Sequence, residues 1–177
     1  MSGPRVPLRE LPQPIAARLA ELGGKPVNLY RALANQPGML AAWIEFAWAV
    51  RQRPGTSRRL RELMIVLGAR RLDCEYELFH HRTMAAAYGV SAAELQQLDG
   101  WRDSSLFAAP ERAALDFMEA MLEGSVPDSV AAELERHFDP AERVELALTA
   151  GLYCMVPRVL DALRVPLETD GTGSPEG

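Results

Sequence analysis

The spacing of apolar residues restricts this chain more than any other feature. Turn signals recur about every 10 to 25 residues, and the segments they bound carry apolar side chains three and four apart. No segment shows the alternation of a half-buried strand. After Pro37-Gly38 the stretch Met39 to Val50 sets Trp43, Phe46 and Val50 on one stripe, stopped by Arg51-Gln52-Arg53-Pro54-Gly55. Ser57 can cap a second helix whose Leu60, Leu63, Met64 and Leu67 face inward, with a break near Leu72. Asp73 is the expected cap of a third, from Cys74 to about Tyr88, closed by Gly89. Ser91-Ala92-Ala93-Glu94 is a capping box opening a short helix to Leu98. Pro110 opens another that Gly124 closes, with Ala114, Leu115, Met118, Met121 and Leu122 on one side. Ser129 to Phe138 forms a shorter one, and Asp139-Pro140-Ala141-Glu142 starts a long apolar helix reaching Leu163, kinked at Pro157. The expectation is an all-α antiparallel array of about seven to eight helices.

Composition decides how many such arrays there are. With 177 residues, 48% of them hydrophobic, the chain supports one good core, expected over residues 15–168. Before it, Pro4, Pro7, Pro12 and Pro14 make residues 1–14 an extended arm that packs rather than folds. After it, residues 169–177 have no apolar anchor and are expected to be disordered. A net charge of -5 provides no electrostatic footprint for nucleic acid or an anionic membrane surface. No apolar run approaches the ~18 residues that span a bilayer, and Met1-Ser2-Gly3-Pro4-Arg5 lacks the apolar core of a secretory signal, so the cytoplasm is the expected location. There the two cysteines, Cys74 and Cys154, are expected as thiols, with Cys154 in the core.

On a helix with about 100° per residue, positions 74, 77 and 81 fall within roughly 60° of arc, so a thiol, a carboxylate and an imidazole share one stripe. Cys74 would lie in the first turn, where unpaired amides and the helix dipole favour a thiolate. Glu62 precedes it by one helix, and an antiparallel neighbour can return its carboxylate to His81, giving a Glu–His–thiol relay. His80 points about 100° away from His81, so His81 is the candidate. The ordinary alternative is that the cysteine is a small buried hydrophobe and that Glu and His are solvated helix-surface residues. His137 reads as such a surface residue.

Arg61-Glu62-Leu63, then Cys74-Glu75-Tyr76-Glu77, His80-His81 and the stretch from Tyr153 to Arg164-Val165-Pro166-Leu167-Glu168 resemble the carboxymuconolactone decarboxylase and alkylhydroperoxidase D-like superfamily, over about Asn28 to Glu168. The resemblance implies an all-helical protomer with an internal helical repeat, of which Arg61-Glu62-Leu63 and Val144-Glu145-Leu146 are candidate matching points, assembled into trimers or hexamers through apolar helix faces. In the alkylhydroperoxidase branch two cysteines three apart act as peroxidatic and resolving thiols beside a Glu and a His that relay a proton. Glu62 and His81 match the relay and Cys74 the first cysteine, but Glu77 stands in the second cysteine's place. A carboxylate forms no disulfide, so that branch's internal oxidation cycle is unavailable at this pair. Tyr76 stands where the branch tends to carry a histidine.

The expectation is therefore a thiol-dependent peroxidase of peroxiredoxin type, with Cys74 as nucleophile, Glu62, Glu77 and His81 as companions, and an external thiol as reductant. It assigns no cofactor and no metal. An acid–base decarboxylase, lyase or isomerase acting on a small carboxylate or lactone is the alternative, with Arg158 as a conceivable carboxylate holder or a surface ion pair. A metal ion on the same donors and a non-catalytic oligomeric binding module are two more.

Overall fold

The computed structural model describes residues 3–52 and 55–168. Among these residues there are nine α-helices, one 3-10 turn and no strand, which is the all-α array expected, with two helices near the start beyond those read from apolar spacing. Contacts divide the chain into two compact units, Met1–Gln52 with Arg158–Gly177, and Arg53–Pro157. The expected disordered tail lies outside the described residues.

In the first unit α1 (Gln13–Glu21), α2 (Asn28–Leu33) and α3 (Pro37–Gln52) follow an extended arm. The described part of the arm stops at Pro12, the N-cap residue of α1, two residues short of the bound read from the sequence. Arg5 donates its backbone N–H to the Leu163 carbonyl (2.9 Å) and its guanidinium to the carbonyls of Asp161 and Ala162. These are carbonyls at a helix end that lack intrahelical donors. On α3 the expected inward stripe holds only in part: Val50 is buried and Trp43 half-buried, but Phe46 is exposed, and Leu40, Ile44, Ala47 and Trp48 carry the rest of the buried face. Trp48 sets this face. Its indole N–H reaches the Leu22 carbonyl (2.8 Å), and its ring lies where a side chain on Gly24 would collide with it at 2.4 Å. Burying the large indole outweighs the spacing signal that favoured Phe46.

The second unit is organised on α4 (Arg58–Arg71), which Ser57 caps by accepting from the Leu60 N–H (3.2 Å). Every residue from Leu60 to Ala69 is buried, so α4 is a central rod. It packs against α5 (Glu75–Ala87) and α7 (Ala109–Glu123), and α7 packs against α8 (Asp128–Glu135). Leu63, Val66 and Leu67 meet Ala85, Leu98 and Leu115 in a core that also buries Trp101 and Phe107. At about 1.5–3 kcal/mol per large apolar side chain, this core fixes α4 and α5 against each other. The capping box of α6 (Ala92–Gln97) forms as expected, with Ser91 Oγ accepting from the Glu94 N–H and Glu94 returning to the Ser91 N–H. Gly124, at φ 86, ends α7.

The joint between α4 and α5 differs from expectation. Asp73 does not cap α5. It takes the left-handed conformation (φ 50) that ends α4, with its N–H on the Arg70 carbonyl (3.1 Å) and the Cys74 N–H on the Ala69 carbonyl (2.9 Å). Cys74 is the N-cap of α5, without a capping bond from its thiol, and not a first-turn residue.

The last helix, α9 (Pro140–Leu163), starts from a reciprocal Asp139–Glu142 box and passes from the second unit into the first at Pro157. The proline sits inside the helix without ending it, and denies the Tyr153 carbonyl its usual donor four residues on. Contrary to the sequence expectation, α9 contains an 18-residue window of mean hydropathy 1.4, long and apolar enough to cross a membrane. Leu146, Ala150, Leu152 and Val156 on it are buried, as on a core helix.

Candidate functional site

Because α4 and α5 return on each other, a helix-internal carboxylate meets a helix-internal imidazole. Glu62 Oε2 lies 2.8 Å from His81 Nδ1, with Glu62 at 0% and His81 at 3% exposure. One turn back on α5, Glu77 Oε2 lies 3.4 Å from His81 Nε2. The ring is thus held edge-on between two buried carboxylates. Tyr153 of α9 covers it in an edge-to-face contact, ring centroids 4.9 Å apart. On the other side of Glu62, Arg58 directs Nε (2.7 Å) and Nη2 (2.6 Å) to Oε1.

The electrostatics follow from this order of charges. Burial opposes a charged His81 ring, but the Tyr153 phenol oxygen and the Glu62 and Glu77 carboxylates outweigh it, and the pKa is pushed up to about 10. Burial alone would raise the Glu62 carboxyl, yet His81 and then Arg58 hold it below its ordinary value. The row runs Arg58, Glu62, His81, Glu77, with the His81 ring favoured in its charged form and Glu62 in its ionised form. A buried charge is tolerable when its neighbours are of opposite sign and bonded to it, and each charge here meets that condition. Arg61, one residue before Glu62 and also buried, has its pKa lowered by burial and by the Arg58 cation.

Cys74 is half-buried one helical turn before Glu77, and its companions Glu77 and His81 continue the same face of α5. Both cysteines are thiols. Cys154 on α9 is half-buried, not a core residue as expected, because α9 turns its fully buried face toward Leu152, Tyr153 and Val156 instead. His80 points away from the site and stacks on Tyr76 (4.7 Å) and Phe79 (5.2 Å). His137 pairs with Glu133 four residues earlier (3.3 Å), and Arg158 is exposed. Among the described residues no three of His, Cys, Asp and Glu are arranged to hold a metal ion, and both ring nitrogens of His81 are turned to carboxylates.

Sequence reasoning missed Arg58 and the part Tyr153 plays. Arg58 had a signal, four residues before Glu62 on one helix, where an ion pair is favourable. Tyr153 had none, since only folding brings α9 over His81.

Residues 37–120 match the model of the carboxymuconolactone decarboxylase family. The protein YnjA of Escherichia coli K12 is 28% identical over 123 residues, 68% of each chain. Among solved structures, peroxidase-related proteins from Silicibacter sp. TM1040 and Ralstonia eutropha JMP134 superpose with TM-scores of 0.80 and 0.79, at 20% and 18% identity. The first comparison covers 98% of this chain and 96% of the other, the second 96% and 95%. A cysteine-to-alanine variant of the debrominase Bmp8, bound to 2,3,4-tribromopyrrole, superposes with a TM-score of 0.74 at 17% identity, over 92% of this chain and 91% of the other. The family match over residues 37–120, the helical array shared with these solved structures and the Glu62–His81 pairing all agree with the resemblance to the carboxymuconolactone decarboxylase family.

Proposed function

We propose that this protein is a single-thiol redox enzyme that reduces a small hydroperoxide at Cys74. The observation that carries this is the half-buried thiol at the start of α5, one turn from a carboxylate that contacts a charged histidine. The Cys74 thiolate attacks the outer peroxide oxygen; an S–O bond forms, the O–O bond breaks, and the alkoxide leaves. His81, charged at neutral pH, supplies its proton through Glu77, and Glu62 balances the ring. Cys74 is then a sulfenic acid. An external thiol condenses with it, releasing water, and a second thiol frees Cys74 as the disulfide of the reductant departs. With Glu77 in place of a resolving cysteine, an external donor is required, which fits a reducing compartment such as the cytoplasm.

We also propose that the enzyme works as a homo-oligomer. Val144, Leu148 and Met155 are exposed along one face of α9, an apolar stripe of the kind that helices bury between protomers. Trimers or hexamers are the expected assemblies.

The test is peroxide treatment of purified protein followed by dimedone labelling and mass spectrometry. Cys74 should be labelled, and Cys74→Ser should lose peroxide turnover. Retained turnover in that variant on any small substrate would replace this mechanism with acid–base chemistry at His81 and its carboxylates.

A further inference from the structure

The row of charges described above begins with a residue to which the redox chemistry assigns no part. Arg58 places both Nε and Nη2 on the same oxygen of Glu62, at 2.7 and 2.6 Å, leaving the other oxygen for His81 Nδ1 at 2.8 Å. An ordinary i, i+4 pair on a helix surface is exposed at both ends. Here Glu62 is at 0% exposure and Arg58 at 12%. The guanidinium is itself fixed from the far end of α5: it lies over the Tyr88 ring, 5.3 Å from its centroid, and Nη2 is 3.7 Å from the Met84 sulfur. It therefore ties the carboxylate of one helix to the same helix that carries His81 and Cys74.

We propose that Arg58 is the positioning residue of this centre, keeping Glu62 ionised and turned so that its second oxygen holds the Nδ1 edge of His81. The proposal rests on the redox reading of the site. The charged and titratable groups facing Glu62 are Arg58 and Arg61 on α4, His81 on α5 with Glu77 beyond the ring, and Tyr153 on α9 against the same ring. If Arg58 loses its charge, two buried carboxylates share one imidazolium. A proton then binds Glu62 at higher pH, turning an acceptor into a donor and releasing the ring edge it holds.

The experiment uses the full chain with Arg58→Met, Arg58→Gln and Arg58→Lys. Two quantities are followed with pH: the 13C carboxyl resonance of Glu62, assigned by its loss in Glu62→Gln, and the rate of Cys74 oxidation by tert-butyl hydroperoxide. In the Met and Gln variants the Glu62 midpoint and the acid limb of the rate should both move up by about one pH unit or more, a tenfold change in the ionised fraction. The rate should recover at higher pH. Lysine, which keeps charge without the fork, should restore part of the shift. A Glu62 midpoint unchanged in either neutral variant overturns the proposal, and so does a rate lowered equally at every pH. A shifted Glu62 midpoint in a protein whose Cys74 never reacts with peroxide would retain Arg58's role and remove the redox reading.

Discussion

His81 shows how neighbours decide a side chain's charge. Its folded pKa is raised from 6.5 to about 10, so the protonated ring stabilises the fold fully below 6.5, and that contribution is lost as pH rises through about 10. Glu62 works in the opposite sense. Its folded pKa is depressed, so its contribution is present above 4.5 and lost as pH falls through the lower folded value. Both are complete between about pH 4.5 and 6.5. Urea unfolding of the wild type should therefore give lower stability at pH 10.5 than at pH 6. His81→Ala should lose about 3–5 kcal/mol at pH 6, because two buried carboxylates keep no cation between them, and should lose the alkaline decline as well. At this scale the sequence carried much of the site. Spacing alone put Glu62 and His81 within reach and turned His80 away. It was silent on the sign of the ring's charge, which depends on burial and on Glu77 and Tyr153 closing around it. No linear pattern encodes those distances.

The joint between α4 and α5 belongs to the next scale. Asp73 occupies left-handed backbone at φ 50, where a side chain is strained and glycine is not. Asp73→Gly should raise stability by about 0.5–1 kcal/mol in thermal or urea melts while leaving Cys74 labelling unchanged. Aspartate before an apolar run reads as an N-cap, which is why the sequence assigned the cap to Asp73. The backbone instead ends α4 and starts α5 within two residues and gives the cap to Cys74. Boxes with reciprocal partners, Ser91–Glu94 and Asp139–Glu142, were legible because both halves of the signal lie in four consecutive residues. The buried face of α3 was legible only in part, since Trp48 and Gly24 fix it through contacts far apart in sequence.

For the whole molecule, the exposed stripe of α9 carries the prediction about assembly. Leu148→Glu puts a charge in its middle, and sedimentation velocity should show a smaller species than the wild type, with helix content by circular dichroism unchanged. Unchanged sedimentation would remove this face from the assembly. The same helix also limits how the chain can be divided. A protein ended at Pro157 to obtain the second unit alone would cut through a continuous rod, exposing the carbonyls of its last turn to water. Tyr153 would then ride on a fraying end, and the imidazole it covers would lose its roof. Dissecting this chain would thus disturb the chemistry of residues that the dissection leaves in place.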